Sequence, residues 1–153
     1  MIIGCDTNEP SSYKTVIKST NSKTNYSAVI ENYGYYYWVS IHHGESSSAL
    51  FSCFLWSNKS PIPKSEIPAS FNGNPPISEE YASDRAIISG FSTSSLKIIW
   101  SDNGKTAAIL MDQEPVCVCD VPNKKGYSIS IKKSGPYGLP WDENIYNEKF
   151  KIQ

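Results

Sequence analysis

The chain has 153 residues, 39% of them hydrophobic and 19% charged, and its net charge is −1. That length suits a single domain over 1–153 with a core large enough to need no staples. The near-neutral charge leaves no basic field to hold nucleic acid, and no apolar run approaches the roughly 18 residues of a membrane span.

Residues 1–12 are polar and are expected to be flexible. Within them, Ile2-Ile3-Gly4-Cys5 resembles the end of a bacterial lipoprotein signal, but the hydrophobic stretch that precedes such a motif is missing. The expected location is the cytoplasm. The alternative is a periplasmic lipoprotein trimmed from a longer precursor.

Residues 13–19 suit a short strand, and Thr20 to Thr24 a turn. Tyr26 to Glu31 reads as a second strand, with Tyr26, Ala28 and Ile30 on one face, and Asn32-Tyr33-Gly34 as the turn after it. Tyr35 to His42 alternates: Tyr35, Tyr37, Val39 and Ile41 take one face, and Tyr36, Trp38, Ser40 and His42 the other. His43 to Ser48 turns the chain into Ala49–Trp56, which is apolar on both faces and so is expected to be covered on both.

Residues 57–78 carry prolines at 61, 63, 68, 75 and 76. A backbone lacking so many donors cannot join a sheet interior. A long surface loop is expected, tacked down by Ile62, Ile67 and Phe71. Residues 78–90 have the pattern of a helix, with Ser78 as cap, Glu79 and Glu80 in the first turn, Tyr81, Arg85 and Ile88 at helical spacing, and Gly90 as terminator.

From 96 to 131 the pattern is a β-meander. Asp102-Asn103-Gly104-Lys105 separates two apolar runs, and an Asn-Gly pair there predicts a hairpin turn with positive φ at both central residues. A second turn falls at Asp112-Gln113-Glu114-Pro115, a strand at Val116–Val121, a third turn at 122–126 and a last strand at Tyr127–Ile131. After a turn-rich connector, residues 141–150 suit a short terminal helix.

The fold expected is α+β: β-rich and mostly antiparallel, a meander sheet with one or two short helices and a helix packed on it. An all-β sandwich is the alternative.

The segment Ile98-Ile99-Trp100-Ser101-Asp102-Asn103-Gly104, with Ala107, Leu110, Asp120, Gly126-Tyr127 and Trp141-Asp142, resembles a small bacterial family of unknown function. That family carries an Ile-x-Trp-Ser-x-Asp-Gly hairpin, then Gly-Tyr, then a C-terminal Trp-Asp. The likeness covers about the last third of the chain, and the chain departs from it in having Asp102-Asn103-Gly104 where the family has Asp-Gly. The resemblance implies no chemistry. It does imply a protein of the immunity kind, encoded beside a secreted toxin.

His42-His43-Gly44-Glu45 has the residue types of a metal or acid–base site, but adjacent strand histidines point to opposite faces. Cys53 and His42 could form a nucleophile–base pair across the hairpin only if the thiol were exposed and its pKa depressed. Asp102, Asp112 and Asp120 are explained by turns and strand ends. The four cysteines, Cys5, Cys53, Cys117 and Cys119, read as buried small hydrophobes, with a bond between Cys53 and one of the last two an option, and their spacing does not suit zinc.

No catalytic, cofactor-binding or metal residue is therefore expected. Two surfaces are candidates for binding a partner. Glu66, Glu79, Glu80 and Asp84 could cover a basic active site, as an immunity protein covers its cognate toxin. The outward aromatics Tyr36 and Trp38 could instead form a platform in a carbohydrate-binding or cell-envelope module. Nothing in the sequence sets an oligomeric state.

Overall fold

The fold is that of a computed structural model, which describes residues 13–67 and 73–151. The expectations for residues 1–12, with Ile2-Ile3-Gly4-Cys5, and for Pro68 and Phe71 lie outside the described residues.

Strands β1 (Lys14–Thr20), β2 (Tyr26–Asn32), β3 (Tyr36–His43) and β4 (Phe51–Ser57) form one antiparallel sheet in chain order, sheet 1. Strands β5 (Leu96–Trp100), β6 (Thr106–Met111), β7 (Glu114–Asp120) and β8 (Lys125–Ser128) form sheet 2, also antiparallel. A two-residue strand, β9 (Leu139–Pro140), adds to sheet 2 in parallel beside β8. Among the described residues, the single α-helix is α1 (Glu143–Phe150).

The β-rich, mostly antiparallel α+β class is what is found, with the strands divided between two sheets. β4 packs on β7 and β8, so the core lies between the sheets. Ala28, Ile30, Val39, Ile41 and Cys53 from sheet 1 meet Ala107, Ile109, Cys117 and Cys119 from sheet 2, all fully buried. The fit is close at Gly126, where a Cβ would stand 2.5 Å from that of Cys53. The three core cysteines are free thiols, as expected of small buried hydrophobes.

Both faces of β4 are covered, as its apolar sequence requires. One faces sheet 2. The other, carrying Phe54, lies under residues 73–77 and 134–138, not under a helix. The free edge of β4 is also paired: Phe54 N–H donates to Tyr137 O, Ser57 N–H to Ala86 O, and Ile88 N–H to Ser57 O. At the opposite edge, β1 has a register shift between Thr15 and Ile17, and Lys14 and Lys18 beside it. A bulge and charged side chains discourage edge-to-edge pairing with other chains.

The helix expected over 78–90 does not form. Ala82 N–H reaches Ser78 O in a single turn, but Ser83 N–H donates to Ser130 O and Ile88 N–H to Ser57 O. Ser83 Oγ also donates to Ile129 O at 2.6 Å and accepts from Arg85 N–H at 3.0 Å. Side-chain hydroxyls offer the backbone an alternative to helical bonding, and here neighbouring strands offer a second. The segment becomes an extended strap, bridged at Ser78, Ala82 and Ile87. Lys64–Glu66 and Thr93–Ser95 are single 3₁₀ turns.

The turns of sheet 2 also differ from expectation. At Asp102–Lys105 only Gly104 has positive φ, +71°. Gly104 N–H bonds Ser101 O, and Ser101 N–H bonds Thr106 O, giving a four-residue loop with one left-handed residue. Glycine is required there twice over, because a Cβ would overlap the Asn21 side chain. The turn with two positive φ values joins β6 to β7, at Asp112 (51°) and Gln113 (70°), with Met111 paired to Glu114.

α1 forms where expected. Asp142 caps it, with Oδ1 accepting from Asn144 N–H and Ile145 N–H at 3.0 and 3.3 Å. Its C-terminal end lies by the β5–β6 turn, with Lys151 Nζ 3.8 Å from an Asp102 carboxylate oxygen. Among the described residues, no helix is long and apolar enough to cross a membrane.

Candidate functional site

Alternation in sheet 1 places Ser27, Val29 and Glu31 of β2 on the face turned away from sheet 2, beside Trp38, Ser40 and His42 of β3 and Ser52 and Phe54 of β4. One half of this face is aromatic and the other half is polar.

The aromatic half holds Tyr36 and Trp38. Both are buried, at 4% and 3% exposure, which corrects the expectation of an outward platform. The Tyr36 phenol donates to Asn74 O at 2.9 Å and the Trp38 indole N–H to Pro75 O at 3.0 Å. The Pro-rich loop lies over the rings that the strand alternation turns away from the core.

The polar half is unusual in its burial. Ser27, Glu31 and Ser40 are each no more than 2% exposed. Ser27 Oγ is 2.7 Å from Thr20 Oγ1, and Ser40 Oγ is 3.0 Å from Ser52 Oγ. Glu31 Oε1 accepts from the Tyr33 phenol at 2.8 Å, and Asn74 Nδ2 donates to both Tyr33 Oη (3.0 Å) and Glu31 Oε1 (3.4 Å). Burial pushes the Glu31 carboxyl above the usual carboxylate range, against hydrogen bonds from Ser40, Tyr33 and Asn74 and the charge of His42. The Tyr33 phenol is pushed up in turn, by its own burial and then by Glu31.

Beside this cluster lies a shallow cavity of about 230 Å³, with Ser27 and Val29 at its floor and Tyr13, Lys18, His42 and Glu45 around it. Lys18 Nζ and Glu45 Oε2 are 3.7 Å apart. His42 Nδ1 lies 3.0 Å from Ser46 O. A carbonyl only accepts, so Nδ1 carries the proton, and a neutral ring is left with Nε2 as an acceptor.

The nucleophile–base pair of Cys53 and His42 is not assembled. Cys53 pairs with Val39 and faces the core, whereas His42 is on the other face of the sheet. Asp102 and Asp112 sit in turns at opposite ends of β6. Asp120 is buried and accepts from Asn123 Nδ2 at 2.8 Å. Among the described residues, no group of three His, Cys, Asp or Glu side chains is placed to hold a metal ion.

The acidic residues Glu66, Glu79, Glu80 and Asp84 all lie on the strap between β4 and β5. Glu66, Glu79 and Asp84 are exposed. Glu80 is held between Lys133 Nζ at 2.8 Å and Lys64 Nζ at 3.4 Å. The hydrogen bond from Lys133 keeps its carboxyl below the usual range. Ile87, three residues after Asp84, is 49% exposed, the highest value for a large aliphatic side chain among the described residues.

Sequence reasoning missed Glu31. It read as one polar residue at the end of a strand, and its partners Tyr33 and Asn74 lie two and forty-three positions away. The available signal was its phase: it shares a strand face with Ser27 rather than with Ala28 and Ile30. Compared with known proteins, the chain matches no family model, no curated protein and no solved structure.

Proposed function

We propose that this chain is a non-enzymatic binding protein of the immunity kind, acting in the cytoplasm to neutralise a cognate bacterial toxin by covering its active site. The observation that supports the reading is the strap between β4 and β5. Its described residues are non-repetitive in structure, yet they are tied to the edge of β4 by backbone hydrogen bonds at Ser57 and Ile88 and to Ile131 by a bridge at Ala82. Fixing irregular backbone costs roughly 1–2 kcal/mol per residue, and long ordered loops of this kind are commonly functional. It presents the exposed carboxylates Glu66, Glu79 and Asp84, and the exposed Ile87 and Arg85. An exposed apolar side chain on a segment that also carries charge suits a protein-binding surface, and three carboxylates against one arginine favour a basic partner. Glu80 contributes less, because two lysines already neutralise it.

The test is capture from a lysate of the source cells at low and high salt, followed by expression of the captured protein with and without this chain. The expected result is one stoichiometric basic partner whose toxicity this chain relieves, with capture weakened by salt and by the triple substitution Glu66→Lys, Glu79→Lys, Asp84→Lys. A partner held equally well by the triple variant would remove the strap from the interface. A captured protein that is harmless when expressed alone would end the immunity reading.

A second reading, binding of a sugar at the cell envelope, is favoured by the cavity beside His42. Its aromatic residue is Tyr13, 47% exposed, in place of Tyr36 and Trp38. Retention on a polysaccharide column that Tyr13→Ala abolishes would favour it.

A further inference from the structure

Three aromatic side chains donate to three successive carbonyls of one short segment. The Tyr36 phenol bonds Asn74 O at 2.9 Å, the Trp38 indole bonds Pro75 O at 3.0 Å, and the Tyr137 phenol bonds Pro76 O at 2.9 Å. The segment itself has little else with which to satisfy its backbone. Pro75 and Pro76 carry no N–H, and a residue that precedes proline is held to extended backbone. Consecutive prolines in this conformation expose their carbonyls without internal hydrogen bonds.

The floor beneath is built from rings on separate parts of the chain. Trp38 and Phe54 meet edge to face at 5.8 Å, Trp38 and Tyr137 at 5.8 Å, Phe54 and Tyr137 edge to face at 5.9 Å, and Tyr33 and Tyr36 stack at 5.2 Å. Aromatic grooves whose indole and phenol groups bond the carbonyls of an extended proline segment are a general mode of peptide recognition. The rings supply both the apolar floor and one donor for each of three successive carbonyls, which aliphatic side chains of the same volume would leave without a side-chain partner.

We propose that this groove recognises extended, proline-containing peptide segments, and that residues 73–77 are its resident ligand. A partner carrying a Pro-Pro segment enters by taking the place of 73–77. The resident segment has the advantage of being tethered, so its effective concentration is high, and Ile77, 1% exposed, helps hold it. Asn74 adds a side-chain tie to Tyr33 and Glu31. The intact chain therefore binds a free peptide weakly, and loosening the resident segment raises that affinity. This inference does not rest on the carboxylates of the strap, since a purified chain and a synthetic peptide test it without any partner protein.

The probe is a capped hexapeptide copying residues 73–78, Gly-Asn-Pro-Pro-Ile-Ser, titrated into the isotopically labelled full chain. The Trp38 indole N–H resonance, assigned with Trp38→Phe, is followed. The double variant Pro75→Ala, Pro76→Ala is expected to shift that resonance, and the peptide to return it toward its position in the unmodified chain. The affinity should be about tenfold or more above that of the unmodified chain, and a control peptide with both prolines replaced by alanine should not bind. If the double variant does not fold, Asn74→Ala, which leaves both prolines and the three carbonyls in place, is used instead. A folded variant whose Trp38 indole ignores the peptide, or responds equally to the alanine control, would reduce the three hydrogen bonds to a structural role and overturn the proposal.

Discussion

On the face of sheet 2 turned away from the core, Ala108 and Val118 are fully buried, with Thr106 and Asp120 beside them at the strand ends, 2% and 5% exposed. The corresponding face of sheet 1 carries Ser27, Glu31 and Ser40, buried almost as deeply. Burying methyl groups is favourable in itself, about 25 cal/mol for each Å² removed from water. A buried polar group is tolerated only with a partner, and leaving one unsatisfied costs about 1–3 kcal/mol. Each of these three has found one: Thr20 for Ser27, Ser52 for Ser40, and Tyr33 with Asn74 for Glu31. Sheet 2 keeps apolar side chains at the middle of this face and its buried carboxylate, Asp120, at a strand end, where Asn123 reaches it. The outward face of sheet 1 carries its buried polar groups across neighbouring strands, and it is also the face on which the Pro75-Pro76 segment lies.

The contrast is broken most severely at Phe54, which has no exposure and touches Tyr36, Trp38 and Tyr137. Phe54→Ala should lower the unfolding free energy by about 3–5 kcal/mol, against about 0.5–1.5 kcal/mol for Ile109→Val in sheet 2. Urea titration of both variants measures the difference. Equal costs would mean that the aromatic layer is loosely packed, and that the groove under residues 73–77 is less built than its hydrogen bonds imply.

A smaller effect of opposite sign sharpens the sheet 2 side. Gln113 occupies left-handed backbone at φ 70° in the two-residue turn between β6 and β7. That conformation costs an ordinary L-residue roughly 1–2 kcal/mol, part of which glycine gives back through its own entropy. Gln113→Gly should therefore stabilise the chain, by about 1 kcal/mol or less, seen as a raised urea midpoint at unchanged slope. A lowered midpoint would show that the Gln113 side chain contributes more than its backbone costs.

These turns also show what the sequence makes legible. The four strands of the meander and their order follow from turn residues between apolar runs, although the last runs over Lys125–Ser128 and not Tyr127–Ile131, and the alternation of β3 assigns its faces correctly. The location of the turn with two positive φ values, at Asp112 and Gln113, does not follow. Asn103-Gly104 has the better composition, but the pairing of Trp100 with Ala107 and the bond from Ser101 to Thr106 leave it four residues to span, not two. The strap at 78–90 has the pattern of a helix and does not form one, for a different reason. Its polar and apolar spacing is helical, but the acceptors that win its N–H groups belong to Ser57 and Ser130, which no local pattern announces. Tyr36 and Trp38 were placed on the correct face, away from the core. What covers that face is a proline segment thirty-seven or more positions away.

The smallest effect lies in the pH dependence of sheet 1. The Glu31 carboxyl is raised first by burial, and the donors Ser40, Tyr33 and Asn74 and the charge of His42 pull the other way without restoring it. The groups around it that titrate are His42, Tyr33 and Tyr13, and both phenols are pushed upward, Tyr13 also by burial and then by Glu31. A carboxyl whose folded pKa exceeds its unfolded one binds its proton more tightly in the native state, so stability falls as pH rises from the unfolded pKa to the folded one. Below that window both states are protonated and nothing is lost; above it the full cost of a buried carboxylate is present. Glu31→Gln keeps an oxygen for Tyr33 and Asn74 and cannot ionise. Relative to the unmodified chain, the variant should thus be more stable at pH 8 than it is at pH 4, when both are unfolded in urea at each pH. Parallel curves would show that Glu31 ionises in the folded chain as freely as in the unfolded one, and that its hydrogen bonds fully offset its burial.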